Sequence, residues 1–317
     1  MTTSTEKPRQ RHRGRIPDFF IVGQHKSGTT ALYEMLRRHP QIYMPDLKEP
    51  RFFASDLRPL MGSNTALPDT FEDYTALFEP AAEWQRVGEA SPSYLRSRVA
   101  AARIAEMNRD ARIIAILREP ASLVRSLHLQ LLKEHVETET DLRKAVAAEE
   151  TVRGGVRVRT YSDHVNYVEQ LRRYDATFPP EQLLVLIYDE FRRDNAETVR
   201  RVLRFLDVDS TTATASMEAN PSVRLRSRRL DALVRALYAG DNRVARAARD
   251  TLRTLLPKRL RGEALAAVRR RLVYGRPAEA DQGVMRELRV RFKGEVVALS
   301  EYLGRDLVSE WGYDRVE

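Results

Sequence analysis

Residues 21–36 read IVGQHKSGTTALYEML: the end of an apolar run, a polar loop bounded by Gly23 and Gly28, and a segment whose Leu32 and Leu36 recur at helical spacing. Strand, loop, helix is the minimal anion cradle. Consecutive backbone N–H groups converge at the start of the helix, where its dipole is positive. The G-x-x-x-x-G spacing is that of a phosphate-binding loop, and Thr29 and Thr30 add hydroxyl donors. A triphosphate-hydrolysing enzyme follows the second glycine with lysine and then serine or threonine. Here Thr29 takes the lysine's place, and the cation, Lys26, lies two positions before Gly28. The competing reading is an ordinary strand-to-helix turn capped by hydroxyls. The full K-S-G-T-T string after an apolar strand outweighs it.

Working outward, DFFIVG (18–23), ARIIAIL (111–117) and LLVLIYDEF (183–191) are short apolar runs, each followed by a segment of helical character. Arg118-Glu119-Pro120 introduces ASLVRSLHLQLLKEH, with proline suited to the first turn. ETVRRVLRFL follows the third run, and RVGEASPSYL (86–95) supplies a further strand and exit loop. This alternation predicts an α/β fold, a parallel sheet with helices on both faces. SDHVNYVEQLRRY predicts a crossover helix with Ser162 and Asp163 as candidate caps. Beyond residue 221 the chain reads as Arg-rich amphipathic helices interrupted at Gly240, Pro257 and Pro277. The expected organisation is a loose tail over 1–15, an α/β core over 16–220, and a mainly helical extension over 221–317 packed on the same domain.

A chain of 317 residues with 42% hydrophobic content is long enough and apolar enough to bury a sizeable core. The absence of cysteine excludes disulfides, thiolate catalysis and cysteine-ligated metal, and favours a reducing, cytoplasmic setting. The N-terminal residues carry charge without the apolar core of a signal peptide, and no apolar run reaches the roughly 18 residues of a spanning helix. A net charge of +9 fits a polyanionic ligand, nucleic acid or a membrane surface equally well. Seven lysines stand against 47 arginines, the bias of a GC-rich bacterial genome. The six histidines show no H-x-x-x-H pair or carboxylate-rich zinc spacing, so no metal is expected. Serine-hydrolase chemistry lacks its G-x-S-x-G elbow. His39, in R-R-H-P, reads as a helix-terminus residue, whereas His128 and His135 share one predicted helical face.

K-S-G-T-T, preceded by a strand and followed by ALYEMLRRHP, resembles the 5′-phosphosulfate loop of sulfotransferases. The resemblance extends through LKEPRFF (47–53), GEASPSYL (88–95), ILREPASLVRS (116–126), LLVLIYDEF and YLGRDLVSEW (302–311), and is nearer to the glycan-modifying and bacterial branch than to the small-phenol branch. It implies a three-layer fold like that of P-loop NTPases and the sulfuryl donor 3′-phosphoadenosine 5′-phosphosulfate (PAPS), used without metal. Ser27, Gly28, Thr29 and Thr30 would hold the 5′-phosphate. A phosphosulfate carries less charge than a triphosphate, so a single ammonium near the bridging oxygen, that of Lys26, would assist the leaving group; this accounts for the displaced lysine.

Arg118 and Ser126, in R-x₇-S spacing, would recognise the 3′-phosphate, with Arg125 adjacent. In the K-E-x-x-F-F string, Glu49 would deprotonate the acceptor. Pro50 biases Glu49 away from helix, Phe52 and Phe53 can anchor the segment, and a carboxylate beside a buried patch is expected to have a raised pKa. Lys48 would pair with acceptor or sulfuryl oxygens and His25 would touch donor or acceptor. Tyr94, with Ser91 and Pro92, would shape the acceptor or nucleotide wall, and Arg224 and Arg226 would contact phosphate from a late loop. Ala90 departs from the pattern: several glycan enzymes place lysine there, so the second active-site cation is either missing or comes from elsewhere, with Lys48 and Arg51 as candidates.

The expected reaction is sulfuryl transfer from PAPS to a hydroxyl of a small-molecule, lipid or saccharide acceptor, foremost a bacterial secondary metabolite. Residues 54–70, 133–160 and the C-terminal helices would form the acceptor pocket. Two other readings stay open. An ATP-dependent kinase with a degenerate loop needs lysine after Gly28 and a magnesium-binding aspartate after a strand, for which Asp189 is placed. A non-catalytic polyanion binder predicts strongly salt-dependent binding without a saturable nucleotide site. Nucleic acid is disfavoured because aromatics do not interleave with the arginines.

Overall fold

The apolar runs on either side of the loop become neighbouring strands. The structure, a computed structural model, describes residues 14–60, 67–134, 136–153, 156–211, 224–225, 274–275 and 281–316. In chain order the elements are β1 (Phe19–Gly23), α1 (Thr29–Arg37), β2 (Ile42–Tyr43), α2 (Phe71–Ala76), β3 (Arg86–Ala90), α3 (Ser93–Arg96), α4 (Ala100–Met107), β4 (Arg112–Leu117) and α5 (Pro120–Lys133). There follow α6 (Leu142–Ala147), β5 (Glu150–Arg153), β6 (Val156–Arg159), α7 (Tyr167–Asp175), β7 (Leu183–Ile187), α8 (Tyr188–Arg193), α9 (Asn195–Phe205), β8 (Arg224–Leu225), β9 (Tyr274–Gly275), α10 (Gln282–Leu303) and α11 (Leu307–Glu310).

Five parallel strands form the central sheet in the order β2-β3-β1-β4-β7. Both faces are covered, which is why these strands read as continuous apolar runs rather than as alternation. Phe20 and Val22 of β1 join Ile113, Ala115 and Leu117 of β4 in one core, under α4, α5, α7 and α10. Phe19 and Ile21 join Ile114 and Ile116 in the other, against α1 and α9. The result is the expected three-layer α/β architecture.

Several boundaries differ from the sequence reading. The third run stops being a strand at Ile187, and Tyr188-Asp189-Glu190-Phe191 begins α8 with two carboxylates in its first turn, where the helix dipole favours them. The crossover helix α7 starts only at Tyr167, and no side chain caps it. Ser162 and Asp163 are used earlier: Ser162 Oγ donates to Glu149 Oε1 (2.7 Å), and Asp163 Oδ2 accepts the Arg159 N–H (2.9 Å). The antiparallel pair β5–β6 was not anticipated, although alternating residues on both sides of Gly154-Gly155 are a hairpin signature.

At the N-terminus, the described residues begin inside the expected tail, at Gly14. The Arg15 guanidinium donates to the carbonyls of Ala81 (3.3 Å), Glu83 (3.2 Å), Ala82 and Gln85. Residues 1–13, and Gly240, Pro257 and Pro277 of the C-terminal stretch, lie outside the described residues. The described part of that stretch includes a strand pair, β8–β9, besides helix. Val284, Met285, Leu288, Phe292, Val296 and Leu299 of α10 are buried in the same cluster as β4 and α5. Two bonds fasten this region further: the Tyr313 hydroxyl donates to Glu119 Oε1 (2.7 Å), and Glu295 Oε1 accepts the Val168 N–H (2.8 Å).

Candidate functional site

The loops leaving β1 and β4 lie side by side at the carboxyl end of the sheet, where the chain turns toward β2 from one strand and toward β7 from the other. Such a switch point is where open α/β sheets bind ligands. The Gln24 N–H continues the ladder to the Ile116 carbonyl (2.8 Å). Its buried carboxamide fixes the next turn: Oε1 accepts the His25 N–H (2.7 Å) and Nε2 donates to the His164 carbonyl (2.8 Å). Gly28 adopts φ 85°, and a Cβ there would approach the Phe191 ring to 3.0 Å and Tyr188 to 3.2 Å, so glycine is required twice over. No side chain caps α1, which leaves its first N–H groups without intrahelical acceptors. Ser27 and Thr29 are buried beneath the loop and Thr30 is exposed.

Lys26 occupies the left-handed region (φ 62°). Its Nζ donates to Gln130 Oε1 of α5 (3.3 Å), and its carbonyl accepts from the Arg118 guanidinium (2.8 Å). Burial, then the charges of Lys133 and Arg118, lower its pKa from the ordinary lysine value, with Glu134 and Glu49 opposing. Arg118 lies over the Tyr188 ring, 4.7 Å from its centroid, and its carbonyl accepts the Tyr167 hydroxyl (2.7 Å). Behind the loop, Arg118, Ser122, Arg125, Ser126 and Leu129 meet Gln282, Met285 and Arg289 of α10 around a cleft of about 240 Å³. The structure thus brings Arg118 and Ser126 to one cleft, with Arg118 bonded to the loop itself.

The turn bearing Glu49 hangs from the end of β3. The Glu49 N–H donates to the Ala90 carbonyl (3.1 Å), the Arg51 N–H to Ser91 Oγ (3.0 Å) and the Phe53 N–H to the Tyr94 hydroxyl oxygen (3.3 Å). Glu49 and Arg51 both have positive φ, 60° and 56°. Lys48 Nζ lies 2.7 Å from one Glu49 carboxylate oxygen and Arg51 2.5 Å from the other. The expected raised pKa is therefore corrected. Burial pushes the carboxyl upward, but the Lys48 and His25 charges and the bonds from Lys48 and Arg51 outweigh it and hold Glu49 at about 2. His25 is lowered to about 3, by burial above all and by the Arg96, Arg51 and Lys48 cations, with Glu49 opposing. It is neutral at physiological pH, and its Nδ1 is buried without a hydrogen-bond partner.

Other expectations separate. Tyr94 does not line a wall: it is fully buried, and its hydroxyl donates to Glu89 Oε2 (3.0 Å), so it supports the turn from behind. His128 is a buried structural group with Nδ1 2.9 Å from the Tyr161 hydroxyl, and His39 closes the end of α1 through the Asp209 carbonyl (2.8 Å). Arg224 contributes backbone to β8, while its side chain, Arg226 and His135 lie outside the described residues. Two features were not anticipated: the α10 residues of the cleft, and Glu89. This carboxyl, fully buried, accepts from Tyr74 (2.7 Å), Ser91 (2.5 Å) and Tyr94, and burial raises its pKa to about 7 against those bonds. Among the described residues no group of three or more His, Cys, Asp or Glu is arranged to hold a metal, and no helix is long and apolar enough to cross a membrane.

A family model described as the sulfotransferase family matches residues 17–212, which contain the loop, the Glu49 turn, Arg118 and Ser126 but not α10. The chain is similar to mouse heparan sulfate glucosamine 3-O-sulfotransferase 3A1, at 29% identity over 198 residues, 61% of this chain and 46% of the relative. It is similar also to human heparan sulfate glucosamine 3-O-sulfotransferase 6, at 29% over 199 residues, 61% and 53% of the two chains. It spans about half the length of the curated relatives it matches. A crystal structure of a sulfotransferase from Alicyclobacillus acidocaldarius superposes with a TM-score of 0.66 at 25% identity, covering 94% of this chain and 99% of the other.

Proposed function

The chain belongs to the sulfotransferase family, and from that premise we propose that it transfers the sulfuryl group of PAPS to a hydroxyl of a small-molecule acceptor at the carboxyl end of the sheet, where the β1 and β4 loops meet. The observation that carries this reading is the 2.8 Å bond from Arg118 to the Lys26 carbonyl. It ties the G-x-x-x-x-G loop to the start of the R-x₇-S helix, so that the loop adjoins the cleft that Arg118 and Ser126 line. A nucleotide with a phosphate on each side of its ribose matches that pair. The loop from Ser27 to Thr30 supplies backbone donors for the 5′-phosphate and Arg118 with Ser126 receives the 3′-phosphate. Gly28 lets the loop turn tightly against Phe191 and Tyr188 at the start of α1, where the first backbone N–H groups of the helix are left for an anion.

In the reaction the bond from sulfur to the bridging oxygen breaks as one from sulfur to the acceptor oxygen forms, and the acceptor proton leaves to a base. Lys26 places an ammonium where charge grows on the departing oxygen. Its lowered pKa, caused by burial and neighbouring cations, makes it readier to share a proton than an exposed lysine. Glu49 is too weak a base to ionise a hydroxyl in advance. It orients the hydroxyl through lone pairs left beside Lys48 and Arg51, and takes the proton once bond formation to sulfur has made the O–H acidic. As in phosphoryl transfer, positioning and charge stabilisation carry most of the acceleration.

On the acceptor side, Phe52 stacks on Tyr74 (4.6 Å between centroids) and Phe71 is 51% exposed. This aromatic flank beside the Glu49 turn supports an acceptor with an apolar or ring face, such as a bacterial secondary metabolite or a saccharide. Relatives named as glucosamine 3-O-sulfotransferases support a hydroxyl acceptor, while a relative named as a bifunctional heparan sulfate N-deacetylase/N-sulfotransferase keeps an amine as the second choice.

Calorimetry with adenosine 3′,5′-bisphosphate and with AMP tests the donor assignment. The bisphosphate should bind at least about tenfold more tightly, as charge-assisted bonds to one extra phosphate require, and equal affinities would overturn the reading. Turnover of labelled PAPS with an extract of the producing organism, followed as a mass gain of one SO₃, should survive chelation of metal and fall by about 10²–10³ in Lys26→Ala. No SO₃ gain from PAPS, together with a metal-dependent phosphoryl gain from ATP, would favour the kinase alternative.

A further inference from the structure

We propose that Gln130, oriented by Glu134, is a positioning residue for sulfuryl transfer: it aims the Lys26 ammonium and keeps it charged beside the departing oxygen. The inference rests on the donor reading above and adds two residues at the far end of α5 that no sequence motif marks. Lys26 is held at both ends from this one helix. Its carbonyl accepts from Arg118, just ahead of α5 (2.8 Å), and its Nζ donates to Gln130 Oε1 in the third turn (3.3 Å). With φ at 62° and the carbonyl tied, the Lys26 backbone has little room to follow a ligand, so the direction of the ammonium is set by what the side chain meets.

The two orientations of the Gln130 amide are not equivalent. Its Nε2 donates to Glu134 Oε1, four residues on and hence on the same helical face, so Oε1 is the end presented to Lys26. The reverse orientation would set an NH₂ group against an ammonium and a carbonyl against a carboxylate. Glu134 stands at the C-cap of α5, where the helix dipole disfavours a carboxylate. The bond from Gln130 and the Lys26 cation beyond it offset that disadvantage. The charges acting on Lys26 come from Lys133 and Glu134 at this helix end, Arg118 at the entry to α5 and Glu49 on its turn. Burial and the two cations press the ammonium to release its proton, and the two carboxylates oppose them. His25, the neighbouring titratable group on the loop, is neutral at physiological pH. A carboxylate that polarises an amide makes the amide oxygen a better acceptor, so Glu134 reaches Lys26 through Gln130 as well as across space. This uses one of the three ammonium protons and leaves two for oxygens of the donor.

Acetylation of the full chain with acetic anhydride over a range of pH, with modified peptides quantified by mass spectrometry, reads the protonation of each lysine without an acceptor. Exposed Lys144 serves as the internal reference. Gln130→Met, close to isosteric but lacking the acceptor, should make Lys26 roughly 3- to 10-fold more reactive relative to Lys144 near neutral pH, with its midpoint moved to lower pH. Local unfolding moves the midpoint the other way, toward the ordinary lysine value. Gln130→Glu, which keeps an oxygen facing the ammonium, should restore the midpoint or raise it. Glu134→Gln should lower it in the wild-type background and by less in Gln130→Met, because part of its effect passes through the amide. With labelled PAPS and extract, Gln130→Met should slow SO₃ transfer by about 5- to 20-fold at saturating PAPS, while the PAPS concentration for half the rate stays within about twofold. Glu106→Gln, an exposed acid on α4, should match wild type in both assays. If adenosine 3′,5′-bisphosphate does not shield Lys26 of wild type from acetylation, the donor reading fails. If it shields Lys26 and the Gln130→Met midpoint stays at the wild-type value or rises, the role of Gln130 is refuted while the donor reading stands. Equal shifts by Glu134→Gln in both backgrounds refute the orienting role of Glu134.

Discussion

Lys26, Glu49 and Arg51 are all non-glycine residues in the left-handed region, where an L-residue pays roughly 1–3 kcal/mol. Three such residues within two short segments are held there by the bonds of the loop to Arg118 and of the Glu49 turn to β3. Strain is thus concentrated on the charged groups proposed to meet the sulfuryl donor and acceptor. Glu49 gives this a measurable consequence. Its folded pKa, about 2, lies below the ordinary value of 4.5, so the folded state binds its proton less readily than the unfolded chain. The resulting stabilisation is complete above the ordinary value and disappears as pH falls through it toward about 2. Glu49→Gln lacks the contribution at every pH and leaves Lys48 and Arg51 facing each other without a carboxylate. Wild type should therefore melt at higher temperature than Glu49→Gln at pH 6, with the gap closing progressively below about pH 4.5. A gap that stays constant into that acidic range would show that the ion pairs around Glu49 do not form.

At the scale of elements, the end of β3 is a platform for the Glu49 turn: Glu89 gathers three hydroxyls, and two of these, Ser91 and Tyr94, accept the N–H groups of Arg51 and Phe53. Burial raises the Glu89 pKa from 4.5 to about 7, so its stabilising contribution is full below the ordinary value and is lost as pH rises through about 7. Glutamine at this position does not titrate, and the hydroxyls can rotate to meet its carbonyl. The melting temperature of Glu89→Gln relative to wild type should rise between about pH 4.5 and 7 and then level off; a difference that ignores pH would exclude a protonated Glu89. Glu89 was illegible from sequence because a lone glutamate in GEASPSYL looks like any surface acid, and only the topology puts β3 inside the sheet. The strands were legible because double-sided burial demands unbroken apolar runs, and Lys26 and Arg118 because each follows such a run directly. The third run misled at Tyr188, where an apolar string continues by composition from strand into helix. Arg289 had no signal at all: it is one of 47 arginines, on a helix whose partner α5 lies far back in the chain.

For the whole molecule, the cleft exists only while α10 is docked, since one wall comes from α5 and the other from α10. The helix is fastened by a buried apolar stripe and by the bonds of Glu295 and Tyr313 to the elements beneath, which argues that 281–316 belongs to the same cooperative unit as the sheet. Phe292, 6% exposed, lies in the core shared with α5 and the sheet. Phe292→Ala should cost about 3–5 kcal/mol and move the entire unfolding transition to lower denaturant concentration. The two tryptophans allow a direct check. Trp84 is 66% exposed and Trp311, just past α11, is buried in the shared core, so a Trp84→Phe background leaves fluorescence reporting on the C-terminal region alone. Fluorescence and far-UV circular dichroism should then trace one transition in urea, shifted together by Phe292→Ala and raised together by adenosine 3′,5′-bisphosphate, which stabilises whatever folded unit binds it. If Trp311 becomes solvated at lower urea than the loss of helix signal, α10 undocks on its own, and the cleft opens and closes independently of the sheet that carries the loop.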